Sequence, residues 1–213
     1  MDIINTFNQI SISDFWQLLL SVALAIGLVY LVEWLRQPEA TIELAPHLNH
    51  PDGRKFLKVR VKVVKGSGLR KLFPWKNVAA FARLKGSLID EVKNKEVSIF
   101  DFIAKWDTRP EPWDYNANPP RPKLELIPFS LEPENLLSGD VAEASIAVKH
   151  PKEKHFYIFD PNYYINAQKN IVDRKLIVLR LTLSSSSINI QRDFVILNEA
   201  EDTERFQLKE LTK

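Results

Sequence analysis

Two histidines and an aspartate fall close together in the segment HLNHPD, as His47, His50 and Asp52. Imidazole nitrogen and carboxylate oxygen form a donor set that zinc and similar cations accept. The catalytic reading of this segment is a membrane-tethered hydrolase or another metal-dependent enzyme built on those three side chains. The competing reading, which the sequence favours, is an ordinary turn between strands, because Pro51 ends the segment and turn residues surround it. His150 and His155 bracket a lysine-rich turn of the same kind. Ser184–Ser187 lacks the strand-to-helix elbow that exposes a nucleophilic serine, and no glycine-rich phosphate loop occurs. The sequence therefore assigns no catalytic residue, no metal and no cofactor, and the expected chemistry is binding.

Two segments carry binding chemistry. In LKVRVKV, residues 57–63, Lys58, Arg60 and Lys62 recur at every second position and share one face if the segment is a strand. The region from Arg54 to Lys85 holds eleven Lys or Arg and no Asp or Glu, and it adds Arg70, Lys71 and Trp75 to the same basic group. Cations mixed with an indole suit an anionic membrane surface or an acidic partner. Aromatics interleaved with cations also suit stacked bases, but a net charge of +2 and the lack of any nucleic-acid module signature weigh against that partner. The second segment is WDTRPEPWDYNANPPRP, residues 106–122, where five prolines exclude a central strand. Trp106, Arg109, Trp113 and Tyr115 within it are the residue types that anchor protein interfaces, and a proline-stiffened loop loses little entropy on docking. The structural alternative is a loop folded back over a sheet edge with Arg109 paired to a carboxylate.

The elements that must position these groups read as strands. Period-two alternation and β-branched or aromatic residues mark Ala40–Leu44, Leu57–Val63, Val78–Ile89, Val97–Trp106, Lys123–Ile127, Ala142–Lys149, Phe156–Phe159, Lys175–Leu183 and Ile188–Leu197. The serines at 184–187 read as the connection of a terminal hairpin, and Pro133–Leu137 as one short turn of helix. The stretch LEPENLLSGDVAEASIAV, Leu131–Val148, resembles the turn and strand that precede the terminal hairpin in immunoglobulin-like modules. That resemblance implies an all-β fold, an immunoglobulin-like β-sandwich of about eight or nine strands, and it implies no function. With zero cysteines the inter-sheet disulfide common in such modules is absent.

Before all of this runs FWQLLLSVALAIGLVYLV, Phe15–Val32, eighteen residues without a charge. Extended through Leu35, it makes a helix about 31 Å long, close to the thickness of a bilayer core. The predicted organisation is a tail at 1–14, a transmembrane helix at 15–35, a linker at 36–39 and the sandwich at 40–213. Residues 1–14 carry Asp2 and Asp14 but no Lys or Arg, which argues against a cleaved signal peptide, while Arg36, Arg54 and Lys55 follow the span. This charge bias places the C-terminal domain in the cytoplasm, the alternative being an extracytoplasmic adhesion or envelope module. Ser21 with Ala25, and Ala23 with Gly27, give a small-residue spacing for association with a second copy or another membrane helix. Together these features predict a single-pass cell-membrane protein acting as a binding or assembly subunit.

Overall fold

In the computed structural model of the chain, residues 12–64, 78–92, 95–109, 113–114, 116–117, 121–160, 163–199 and 201–211 are described. One long helix, α1 (Ile12–Arg36), comes first. Strands follow as β1 (Glu39–Leu44), β2 (Leu48–Asn49), β3 (Lys55–Val64), β4 (Val78–Val92), β5 (Lys95–Ile103), β6 (Lys105–Trp106), β7 (Trp113–Asp114) and β8 (Arg121–Pro122). The second half holds α2 (Ile127–Ser130), β9 (Glu134–Leu137), β10 (Val141–Lys149), β11 (Phe156–Ile158), α3 (Tyr163–Asn166), β12 (Ile171–Val172), β13 (Leu176–Ser184), β14 (Asn189–Asn198) and β15 (Phe206–Glu210).

Helix α1 is apolar around its whole circumference. Its window Phe15–Leu35 is 6% buried and is the one helix among the described residues long and apolar enough to cross a membrane. Ser21 Oγ–H donates to the Gln17 carbonyl one turn earlier (2.8 Å), so the hydroxyl finds its partner within the helix.

The β domain consists of two antiparallel sheets around a shared core. The first runs β1-β3-β10-β11-β12, with β2 added on β3 and β6 on β10; the second runs β15-β14-β13-β4-β5, with β9 added on β4. Among the described residues, β7 and β8 pair with each other. β3 keeps the alternation of its sequence: Leu57, Val59, Val61 and Val63 are at most 1% exposed, while Lys58, Arg60 and Lys62 take the opposite face. Opposite them, Leu84 and Leu88 of β4, Leu179, Leu181 and Leu183 of β13, and Phe194 and Ile196 of β14 complete the core. Gly86 is required at the centre of β4, because a Cβ there would lie 2.2 Å from Cζ of Phe102, its cross-strand partner on β5.

Simple alternation breaks in β4, where the register shifts between Ala79 and Ala82 and again between Leu88 and Ile89, in the run leading to β6, and in β10. The run expected as one strand, Val97–Trp106, divides at Ala104: β5 belongs to the second sheet and β6 to the first. The Ala104 N–H donates to Leu84 O across that corner (2.9 Å), and Trp106 Nε1–H donates to Ala82 O (3.3 Å), so a side chain of the first sheet is tied to the backbone of the second. In β10 the register against β3 slips between Ser145 and Ala147. The extra residue resets the phase, turning Val148 outward onto Phe56 and Lys149 inward to the end of the core. There Lys149, fully buried, reaches Asn198 Oδ1 and lies 5.9 Å from the centre of the Phe206 ring, while its cross-strand neighbour Lys55 donates to Glu204 O (3.0 Å).

Several expectations are corrected. Lys123–Ile127 is not a strand: Leu124–Leu126 forms a 3-10 turn that leads into α2. Pro128 sits at the start of that helical turn, where its missing N–H is no loss and its fixed φ favours a helix. Pro133–Leu137 is not helical: Glu134–Leu137 is β9, drawn into the sheet by pairing with β4 and by burial of Leu136 at 3% exposure. β15 was not expected, because FQLKE is short and polar, yet it adds an edge to β14 with Phe206 and Leu208 in the core. The hairpin of β13 and β14 across Ser184–Ser187 forms as read, closed by Ser185 N–H on Ile188 O (2.8 Å).

Candidate functional site

The outer face of the first sheet carries a cleft of about 540 Å³, within the usual range for small-molecule sites. Its floor is a row across three strands. Ser145 of β10 lies opposite Lys58 of β3 on one side and Lys105 of β6 on the other, so a hydroxyl sits between two lysines. Lys105 is 4% exposed. Asp107, just beyond β6, joins the row: Lys58 Nζ donates to Oδ2 (2.6 Å) and Ser145 Oγ–H to Oδ1 (2.9 Å).

One wall is aromatic. Phe56 and Phe159 meet edge to face at 5.2 Å, and Tyr163 and Tyr164 of α3 pack against Phe159 at 5.3 and 5.5 Å. This cluster is separate from the main core and exists because the bulge in β10 turns Val148 outward beneath it. Asn170, 1% exposed, fixes the covering segment by donating from Nδ2 to Ile158 O and to Asp160 Oδ1 (2.9 and 2.5 Å).

At the rim, the turn between β2 and β3 brings His50 and Arg54 together on Asp52. His50 Nδ1 lies 2.8 Å from Oδ1 and Arg54 Nε 2.6 Å from Oδ2. Burial opposes the charge on Asp52, but the backbone N–H of Arg54, the His50 ring and the guanidinium outweigh it and hold the carboxyl down to about 2. Gly53, at φ 87°, supplies the left-handed residue that the turn needs. Arg54 also lies over the Phe56 ring at 5.8 Å. His150 Nε2 is 2.7 Å from the Tyr163 hydroxyl, and burial lowers the pKa of its ring.

Lys58, Arg60 and Lys62 do share one face of β3, and each meets a carboxylate brought by another strand or loop. Arg60 donates to Glu143 of β10 (2.7 Å), Lys62 to Glu43 of β1 (2.5 Å) and Lys58 to Asp107. The β3 part of the acid-free stretch therefore forms a face whose three cations are matched by carboxylates. Arg70, Lys71 and Trp75 lie outside the described residues, as does Tyr115. Trp106, expected as a surface anchor, is instead a core residue at 2% exposure, because sheet switching at Ala104 points its indole between the sheets. Arg109 is a cleft residue held from behind: Nη2 donates to Pro133 O, Nη1 lies 3.4 Å from Glu132, and Nε is 3.1 Å from Glu134 Oε2 without hydrogen-bond alignment. For Trp113, the backbone is placed in β7. Ser21, Ala23, Ala25 and Gly27 all lie on α1, exposed, with nothing within 4 Å of a Cβ built at Gly27.

The metal reading of His47, His50 and Asp52 gains no ligand set. His50 and Asp52 meet, but His47 Nδ1 is buried without a hydrogen-bond partner, and no group of three or more His, Cys, Asp or Glu assembles among the described residues. Sequence reasoning missed Lys105, Ser145, Phe159, Tyr163 and Tyr164. Their signal was weak, since they lie on different elements and only the pairing of β3, β10 and β6 brings them together. Comparison of the chain with protein-family models, with curated proteins and with solved structures finds no match in any of the three.

Proposed function

We propose that this chain is a single-pass membrane-anchored binding subunit whose immunoglobulin-like β-sandwich presents a ligand cleft on the cytoplasmic side. The observation that carries the reading is α1, whose Leu18, Leu24, Leu28 and Tyr30 are each more than 60% exposed. Leaving such side chains in water forgoes about 25 cal/mol for every Å² that burial would remove, and a bilayer core covers all of them at once. Only Gln37 and Pro38 separate α1 from β1. At roughly 3.3 Å per residue, that connection keeps the start of the domain near the membrane surface. Arg36 after the span, against Asp2 and Asp14 before it, supports the cytoplasmic side.

Binding is favoured over catalysis by the character of the cleft. Three of its cations, Arg54, Lys58 and Arg109, are fixed by carboxylates and its far wall is ring surface, an arrangement suited to holding a ligand in one orientation. The immunoglobulin-like reading is supported by two antiparallel sheets around one core and by β9 and β10 preceding the hairpin β13–β14.

Alkaline washing of membranes from cells expressing the full chain tests the anchor, with a variant lacking residues 15–35 as the soluble control. The full chain is expected in the pellet, and its recovery in the wash would remove the anchoring proposal. Protease treatment then assigns the side: the domain should be cut only after permeabilisation, and cleavage in intact cells would place it outside.

A further inference from the structure

The cleft has two chemically different sides that face the same space. On its floor two lysines flank a hydroxyl, Lys58 and Lys105 on either side of Ser145, in one row across β3, β10 and β6. Beside the floor stand the rings of Phe56, Phe159 and Tyr164. Among the described residues that line the cleft, four are cationic (Arg54, Lys58, Lys105 and Arg109) and one is a carboxylate, Asp107. The acids that steady Arg54 and Arg109, namely Asp52, Glu132 and Glu134, are not among the lining residues.

This placement matters electrostatically. An acid behind a cation fixes its position without filling the space in front of it, so Arg54 and Arg109 are preorganised toward the cleft, whereas Asp107, which takes the Lys58 ammonium and the Ser145 hydroxyl, lies within it. Lys105 is 4% exposed and lies where water is scarce. A charge-assisted hydrogen bond there is stronger than one at the open surface. The ring wall offers an apolar face next to that charge, and aromatic pairs favour edge or offset contact with a flat guest.

We propose that the cleft binds a small organic anion consisting of a carboxylate or phosphate head joined to an aromatic ring. The head lies beside the Lys58–Asp107 pair and Lys105, drawn there by the surplus of cations over that one carboxylate among the described lining residues, and the ring packs against Phe56, Phe159 and Tyr164. This assignment rests on the reading of the domain as a binding module and is independent of the membrane anchor.

Titration calorimetry on the full chain in detergent micelles tests it, using phenyl phosphate and benzoate as the aromatic anions. Benzamide serves as the neutral isostere and inorganic phosphate as the head without a ring. Saturable binding of at least one aromatic anion is expected, with benzamide and inorganic phosphate each at least tenfold weaker. Which of the two heads binds more tightly decides between carboxylate and phosphate. Lys105→Met and Lys58→Met should each weaken binding about tenfold, and Tyr164→Ala several-fold, whereas Lys154→Met, remote from the cleft, should leave it unchanged. Tyr164 is half-exposed, so its variant reports on the ring wall even if Lys105→Met fails to fold. Equal affinity for benzamide, retention of affinity in both lysine variants, or no saturable binding by either aromatic anion would overturn the proposal. None of those results bears on alkaline extraction, so failure of the ligand assignment and failure of the anchor are separately visible.

Discussion

His150 illustrates how much a single side chain can depend on its neighbours. Burial lowers its pKa most; Glu153 and Asp52 pull the other way, while Arg54 and His155 reinforce the lowering. A histidine whose folded pKa lies below the unfolded value of about 6.5 binds fewer protons when folded. Stability conferred by this group is therefore complete at neutral pH and declines as pH falls from about 6.5 toward the folded pKa. Urea unfolding at pH 7.5, 6.5 and 5.5 should show that decline, and His150→Phe, which keeps a ring and removes the titration, should flatten it. An unchanged pH slope in the variant would refute the assignment, and an NMR titration of the imidazole measures the pKa directly. Trp106 makes the second residue-scale case. Trp106→Phe removes the donor to Ala82 O and leaves a small void between the sheets, so a loss of about 1–3 kcal/mol in unfolding free energy is expected.

At the scale of elements, β4 and β5 depend on a close approach that only glycine allows. Gly86→Ala would drive a methyl group into the Phe102 ring, for a cost of about 1–3 kcal/mol unless the ring moves. Because the conflict is between two side chains, the combination of Gly86→Ala with Phe102→Leu should cost less than the sum of the two single changes. Strict additivity in a double-mutant cycle would show that the ring is not the obstacle. β10 carries the other decisive device. Its bulge at Ile146 places Ser145 and Val148 outward and Lys149 inward, supplying both the cleft floor and the support for the aromatic wall. Nothing in AEASIAVK marks that extra residue, since small and apolar side chains there satisfy either face. Likewise KW, residues 105–106, reads as the end of a strand, and its transfer to the opposite sheet is set by tertiary contacts of Ala104 and Trp106.

For the whole molecule, α1 and the β domain answer different questions. The helix concerns where the chain resides, and membrane partition of the full chain against the variant without residues 15–35 is the measurement that decides it. The domain concerns what is held. On β3 each of the three outward cations is met by a carboxylate, and Glu43, Asp107 and Glu143 stand 19, 49 and 83 residues along the chain from the cations they meet. In the cleft, the acids that hold Arg54 and Arg109 stand outside the described lining, which carries four cations and one carboxylate.

The amino-acid order by itself determined the apolar span and most of the strands. It also determined the two faces of β3 and the hairpin at Ser184–Ser187. Each of these is a local property, set by hydrophobic period or turn composition over a few neighbouring residues. Only the tertiary structure decided which charges are neutralised, that Trp106 is core rather than surface, that Pro133–Leu137 contributes a strand, and that Lys58, Ser145 and Lys105 form one row. Those outcomes depend on which strands become neighbours, and pairing across tens of residues leaves no local pattern to read.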